Sequence, residues 1–85
     1  MASLNQLLDD KVVKILLVLS KHKSKFYHIT QLAQDAKVPT ATTFRIIRQL
    51  LKAGTITMSK VGKFKIYKYN DTEDNNKIMG LLANE

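Results

Sequence analysis

The segment from Ile29 to Gly54 constrains the fold more than any other part of the chain. Ile29-Thr30-Gln31-Leu32-Ala33 reads as the start of a short helix, with Thr30 as N-cap, Ile29 as the staple residue before it, and an end near Ala36. Val38-Pro39-Thr40 breaks the chain, and Pro39 suits the first turn of a new helix, where its missing N–H has no partner to lose. The second helix runs to Ala53, and Gly54 falls where a left-handed C-terminal residue belongs. A short helix and a longer one thus meet across a tight turn.

The second helix has two distinct faces. Measured from Leu50, Thr43, Ile46 and Ile47 fall within about 60° and form the inner face. Ala41, Arg45, Arg48 and Lys52 fall within about 40° of the opposite direction, with Thr42 and Phe44 at the boundary. No acid occurs on this helix, whereas ordinary amphipathic surface helices mix Glu with Lys. In a helix-turn-helix the second helix is the one that enters a major groove. That task needs an apolar face for the core, and arginines opposite that fork onto guanine edges or phosphates.

The charge pattern agrees. Between Asp35 and Asp71 lie Lys37, Arg45, Arg48, Lys52, Lys60, Lys63, Lys65 and Lys68, and no acid; the whole chain of 85 residues carries a net +7. A lysine-rich solubilising surface usually mixes both signs. A one-sign block repels itself unless a polyanion covers it. The block includes a basic hairpin over about 56–69. Ile56 to Ser59 and Phe64 to Tyr69 read as its strands, and Lys60-Val61-Gly62-Lys63 as a turn with one Gly available for positive φ. Alternation puts Ile56, Met58, Phe64 and Ile66 toward the core and Lys63 and Lys65 outward. Tyr67 and Tyr69 share the parity of Lys65, which leaves either a strand twisting over the core edge or a bulge. Lys60, Lys63 and Lys65 are placed to straddle a DNA backbone or enter a minor groove. The same lysines also guard an edge strand against aggregation, a compatible role.

Flanking helices complete the pattern. From Leu4 to Ser20, Leu8, Val12, Ile15, Leu16 and Leu19 form one buried stripe, with Ser3 and Gln6 as a capping box. Leu4, Val13 and Leu17 form a second apolar line, to be covered by a later helix or by another subunit. Lys21 to Lys25 is a basic connection, and Phe26-Tyr27-His28 a short strand. A last helix over about 72–83 has Thr72 as its cap and Glu73 and Asp74 in its first turn, against the positive end of the dipole. Ile78, Met79, Leu81 and Leu82 are its apolar content, and Gly80 weakens it.

The stretch Ile29-Thr30-Gln31-Leu32-Ala33, then Val38 to Leu50, closing on Ala53-Gly54-Thr55-Ile56, resembles the DNA-binding segment of winged helix-turn-helix transcriptional regulators. It is similar to the IclR, ArsR and MarR groups, in an archaeal or archaeal-virus variety, over about Ile29 to Tyr69. The resemblance implies an α+β, mainly α fold: three helices, a short β-hairpin wing and a C-terminal helix. It places Thr42 and Arg45 on the recognition helix. Two departures stand out. Lys37 occupies the inter-helix turn where many relatives have Gly, and Ala41 stands where Ser is common, leaving Thr40 to supply a hydroxyl to phosphate. Such domains usually bind DNA as homodimers through their terminal helices, here Leu4, Val13, Leu17, Ile78 and Leu82.

Other chemistry finds no footing. With no cysteine there is no disulfide framework, thiol nucleophile or Cys-ligated zinc. His22 and His28 stand alone, so no metal or cofactor is expected. Asp71, Glu73 and Asn75 imitate a calcium loop that fails at Asn76 and Leu82, and Asn70-Asp71-Thr72 is a sequon relevant only to a secreted protein. No signal peptide is expected in Met1 to Lys14, no bilayer-spanning run occurs, and no small-molecule ligand is expected. The expectation is one cytoplasmic (nucleoid or host cytoplasm), non-enzymatic domain over residues 1–85 that binds double-stranded DNA in a sequence-specific way. As a homodimeric transcription regulator it would most simply repress by occlusion. Thr40, Ala41, Thr42, Phe44, Arg45, Arg48, Lys52, Lys60, Lys63 and Lys65 form the DNA surface, with Arg45 first and Arg48 second for base readout. The alternatives are a non-specific architectural or replication-associated DNA binder, and a protein-interaction winged helix. The latter predicts an exposed apolar patch, and acids among the bases of the second helix.

Overall fold

The computed structural model describes residues 9–83. Helix α1 spans Asp10–Lys21 and is capped by Asp9, whose Oδ1 accepts the Lys11 N–H at 2.8 Å. Asp9 is itself non-helical, so the helix expected from Leu4 does not run unbroken into α1. The Ser3–Gln6 capping box, Leu4 and Leu8 lie outside the described residues. Strand β1 (Tyr27–His28) leads straight into α2 (Ile29–Ala36). The N-cap of α2 is His28, not Thr30: its Nδ1 faces the Thr30 hydroxyl at 2.9 Å and the Thr30 N–H at 3.4 Å. Ile29 is already helical and buried.

Helix α2 ends on Lys37 at φ 57°, ψ 45°. The Val38 N–H returns to the Ala33 carbonyl and the Lys37 N–H to that of Gln34, which is the Schellman pattern. A left-handed lysine costs about 1 kcal/mol, offset here by satisfied carbonyls and a buried Val38. Pro39 is the N-cap of α3 (Thr40–Ala53) and not its first residue. Its carbonyl accepts both the N–H and the hydroxyl of Thr43, so that fully buried threonine is satisfied. Gly54, at φ 77°, closes α3 with the same Schellman pattern, as its position in the sequence requires.

Strands β2 (Ile56–Val61) and β3 (Phe64–Tyr69) pair without a bulge from Ile56 opposite Tyr69 to Val61 opposite Phe64. Only Gly62 and Lys63 form the turn. Gly62 has φ 60° and Lys63 does not share the positive sign, as in a II′ hairpin. β1 pairs with β3, giving the antiparallel order β1-β3-β2. The parity of β3 is the reverse of the alternation reading. Tyr67 and Tyr69 are buried, whereas Phe64 is 62% exposed and Ile66 only partly covered. One face carries Ile56, Met58 and Lys60 with Lys65, Tyr67 and Tyr69. The other carries Thr57, Ser59, Val61, Phe64, Ile66 and Lys68, with the Phe64 ring edge-on to His28.

Helix α4 (Glu73–Ala83) is capped by Thr72, whose hydroxyl accepts the Asn75 N–H. Its Met79 and Leu82 join the core built on Ile15, Leu19, Tyr27, Leu32, Ile46 and Tyr69. Two residues expected at a subunit interface, Val13 and Leu82, are buried by the protomer itself. Leu17 packs partly against the core and Ile78 is half exposed. Of the second apolar line, Val13 is thus covered within the chain and Leu17 in part, while Leu4 lies outside the described residues.

The Tyr69 hydroxyl donates to Asn76 Oδ1 at 2.9 Å. Burial, with the Asp71 carboxylate adding to it, raises the Tyr69 pKa above its ordinary value. The folded state thus favours the neutral phenol. This stabilisation is complete below the ordinary tyrosine pKa of about 10 and fades as pH climbs through the raised folded value. Tyr69→Phe is expected to cost about 1 kcal/mol at neutral pH and to flatten the alkaline loss of stability, as measured by urea unfolding between about pH 8 and 11.

Candidate nucleic-acid interface

The inner face of α3 is held by Thr43, Ile46, Ile47 and Leu50, all buried, as the wheel requires. That anchoring turns Thr40, Ala41, Phe44, Arg45, Arg48 and Lys52 to solvent, with Thr42 half-buried at the edge. Phe44 is 49% exposed, a large ring left on the outward side. Helix α3 packs on β2, and a groove runs between the helix and the hairpin. Phe44, Ile47, Leu51, Met58 and Tyr67 form its apolar floor, and Arg48 and Lys65 stand at its rim. Met58, Tyr67 and Leu51 were not among the expected site residues. Tyr67 could be found only once the facing of β3 was known.

Lys60 lies directly opposite Lys65 on the helix side of the sheet. Like charges in that position destabilise a strand pair by some tenths of a kcal/mol unless an anion lies across them. Lys63 occupies the turn itself, apart from this pair. The two arginines have different surroundings. Arg45 Nη2 lies 3.9 Å from Asp9 Oδ2, an exposed and therefore weak ion pair. Arg48 has no ion pair among the described residues. The sequence offered no sign of the Asp9 contact, because it joins residues 36 positions apart.

The wing is tied to the end of α3 by side-chain amides. The Gly54 carbonyl accepts from Asn70 Nδ2 at 2.8 Å and from Asn75 Nδ2 at 3.2 Å, and Asn75 Nδ2 also reaches the Asn70 carbonyl. The asparagines of the sequon and of the calcium-like run therefore serve as a clamp between helix end and hairpin base. Among the described residues no group of three His, Cys, Asp or Glu is placed to hold a metal ion, and no helix is long and apolar enough to cross a membrane.

Helices α2 and α3 across the Lys37 turn, followed by the β2–β3 hairpin on a three-stranded sheet, make the chain a winged helix-turn-helix fold. Solved structures share it. The type III plasmid segregation protein TubR is 20% identical with a TM-score of 0.73, over 91% of this chain and 76% of that one. The adhesin competence repressor AdcR of Streptococcus pyogenes is 23% identical with a TM-score of 0.68, over 89% of this chain and 55% of that one. A MarR family transcriptional regulator of Silicibacter pomeroyi is 21% identical with a TM-score of 0.69, over 93% and 55%. No protein-family model and no curated sequence matches the chain.

Proposed function

We propose that the protein is a non-enzymatic transcription regulator that binds double-stranded DNA sequence-specifically, as a homodimer, and represses by occlusion. The observation that carries this reading is the acid-free outward face of α3, which meets Lys65 of the wing across one groove, with Lys60 directly opposite Lys65 on the neighbouring strand. In this reading α3 lies in the major groove. Arg45 and Arg48 reach base edges, Phe44 and Ala41 make apolar contacts there, and Thr40, Thr42, Lys52, Lys60, Lys63 and Lys65 meet phosphates. The transcriptional regulator and the repressor among the structural neighbours support the regulatory role. The exposed Ile78 and Leu81 on α4 supply apolar surface for a second copy.

The test is selection of duplexes from a random pool, with competition by unrelated DNA at about 0.15 M salt and the solution mass read by sedimentation. A regulator keeps a preference of about 10³ or more over unrelated DNA. Equal competition by any duplex would leave an architectural binder, and a monomeric mass on DNA would remove the homodimer. Lys63→Ala is expected to weaken all duplexes alike and to lower the slope of log affinity against log salt by about 1, because it removes one phosphate contact.

A further inference from the structure

We infer that the protein has a second surface for the phosphate backbone of duplex DNA, formed by Lys21, Lys23, Lys25 and Lys68, which lets one protomer hold two duplex segments at once. The inference rests on the reading of α3 and the wing as the first duplex site. The connection after α1 and the far half of β3 enclose an open hollow of about 620 Å³ lined by these four lysines, with Asp71 as its only carboxylate. None of its lining residues belongs to the groove beside α3.

Three of the lysines are held on aromatic supports. Lys25 Nζ lies 4.7 Å from the centre of the Tyr27 ring and Lys68 Nζ 5.1 Å from that of Phe26. Lys23 Nζ lies 5.8 Å from the Tyr69 ring centre and 3.9 Å from Asp71. Tyr27 and Tyr69 are themselves fixed in the core. Cations placed over ring faces have already given up part of their rotamer freedom, so less is lost when they meet an anion. Four cations gathered around one carboxylate repel each other until a polyanion spans them.

The location separates this surface from the first. β1 pairs antiparallel with β3, Tyr27 opposite Tyr67, so the basic connection before β1 lies beside the end of β3 remote from the Gly62–Lys63 turn. Lys68 is three residues beyond Lys65 and five beyond Lys63, roughly 10 and 17 Å along the chain. It also sits on the opposite face of the sheet from Lys60 and Lys65. Helix α3 packs on β2, the edge strand at the other side from β1. The two basic surfaces therefore lie toward opposite ends of the hairpin, with Lys68 facing away from Lys60 and Lys65, while Lys23 and Lys25 rest on Tyr69 and Tyr27 at the far end of the sheet. An open hollow lined by flexible ammonium groups fits a sugar-phosphate backbone, which needs point charges along a track, not an enclosing pocket.

The experiment immobilises one duplex carrying the selected site, saturates it with protein, and measures capture of a second, fluorescent duplex. The variant Lys23→Gln/Lys25→Gln/Lys68→Gln keeps the aliphatic stems over the rings, and its fold is checked by circular dichroism. Lys23→Gln/Lys25→Gln serves if the triple variant does not fold. Capture of the second duplex is expected to fall at least about tenfold, with affinity for a single duplex changed less than about threefold. Failure of the wild type to capture a second duplex overturns the inference, including the case in which the hollow takes only free phosphate or nucleotide. Undiminished capture by the folded variant also overturns it, since bridging would then run through the two recognition helices of a dimer. Arg45→Ala/Arg48→Ala separates the two readings. If it leaves single-duplex affinity unchanged, the α3 site is wrong, whatever the lysine variants show of the second surface.

Discussion

Replacing both Arg45 and Arg48 by Ala is expected to lower affinity for the selected duplex by about 2–4 kcal/mol, or about 30- to 1000-fold. Each bidentate contact to a base is worth about 1–3 kcal/mol, and the two residues are one helical turn apart, so their losses need not add in full. The preference for the selected site over a scrambled duplex should fall with the affinity, because the phosphate contacts proposed for Lys52, Lys60, Lys63 and Lys65 would persist and carry no sequence information. Of the two single variants, Arg48→Ala is expected to cost more. Arg45 must first leave Asp9, whereas Arg48 stands at the rim of the groove with no acid paired to it among the described residues. This reverses the order that sequence position alone favours. Fluorescence anisotropy on both duplexes at fixed salt measures the effect. An unchanged preference would remove α3 from the groove.

The largest effect on stability is expected from Ile46→Ala, at about 2–5 kcal/mol in urea unfolding. Ile46 is fully buried on the inner face of α3, within the same core as Ile15, Leu32 and Tyr69. Removing three carbons there leaves a void that close-packed helices cannot readily fill. Domains are stable by roughly 0.05–0.15 kcal/mol per residue, so a chain of this size would lose a large fraction of its margin. Phe44→Ala, two positions earlier, provides the contrast. Its ring is half in solvent, so the change should cost much less in stability while still altering DNA binding. A similar loss at both positions would mean that α3 is not oriented as described.

Much of this was legible because it is local. The 3.6-residue repeat over Thr43, Ile46, Ile47 and Leu50 depends only on helical geometry, and packing on that side leaves the arginines on the other. Gly54 and Gly62 lie at positive φ where the chain must turn sharply, and Thr72 caps α4 through its own hydroxyl. Lys37 is left-handed at the turn position where the resemblance implies a glycine in many relatives.

What was missed involves partners distant in sequence. The alternation of β3 misled because Phe64 and Lys65 lie near the hairpin tip, where both faces meet water and polarity carries no information about facing. Only farther along, where Tyr67 and Tyr69 run into the helical core, does burial choose a face. His28 displaced Thr30 as cap because β1 passes directly into α2, and the strand end supplies the side chain. The Asp9–Arg45 pair, the Asn70–Asn75 clamp on Gly54 and the burial of Val13 and Leu82 likewise depend on how the elements pack.

The order of elements, the acid-free helix face and the basic hairpin follow from neighbouring residues alone, since periodicity, turn chemistry and charge density are local properties. The tertiary structure alone decided which strand face meets the core, which arginine is paired and where the two groups of lysines gather. Those outcomes depend on distances between residues far apart along the chain, which local pattern does not encode.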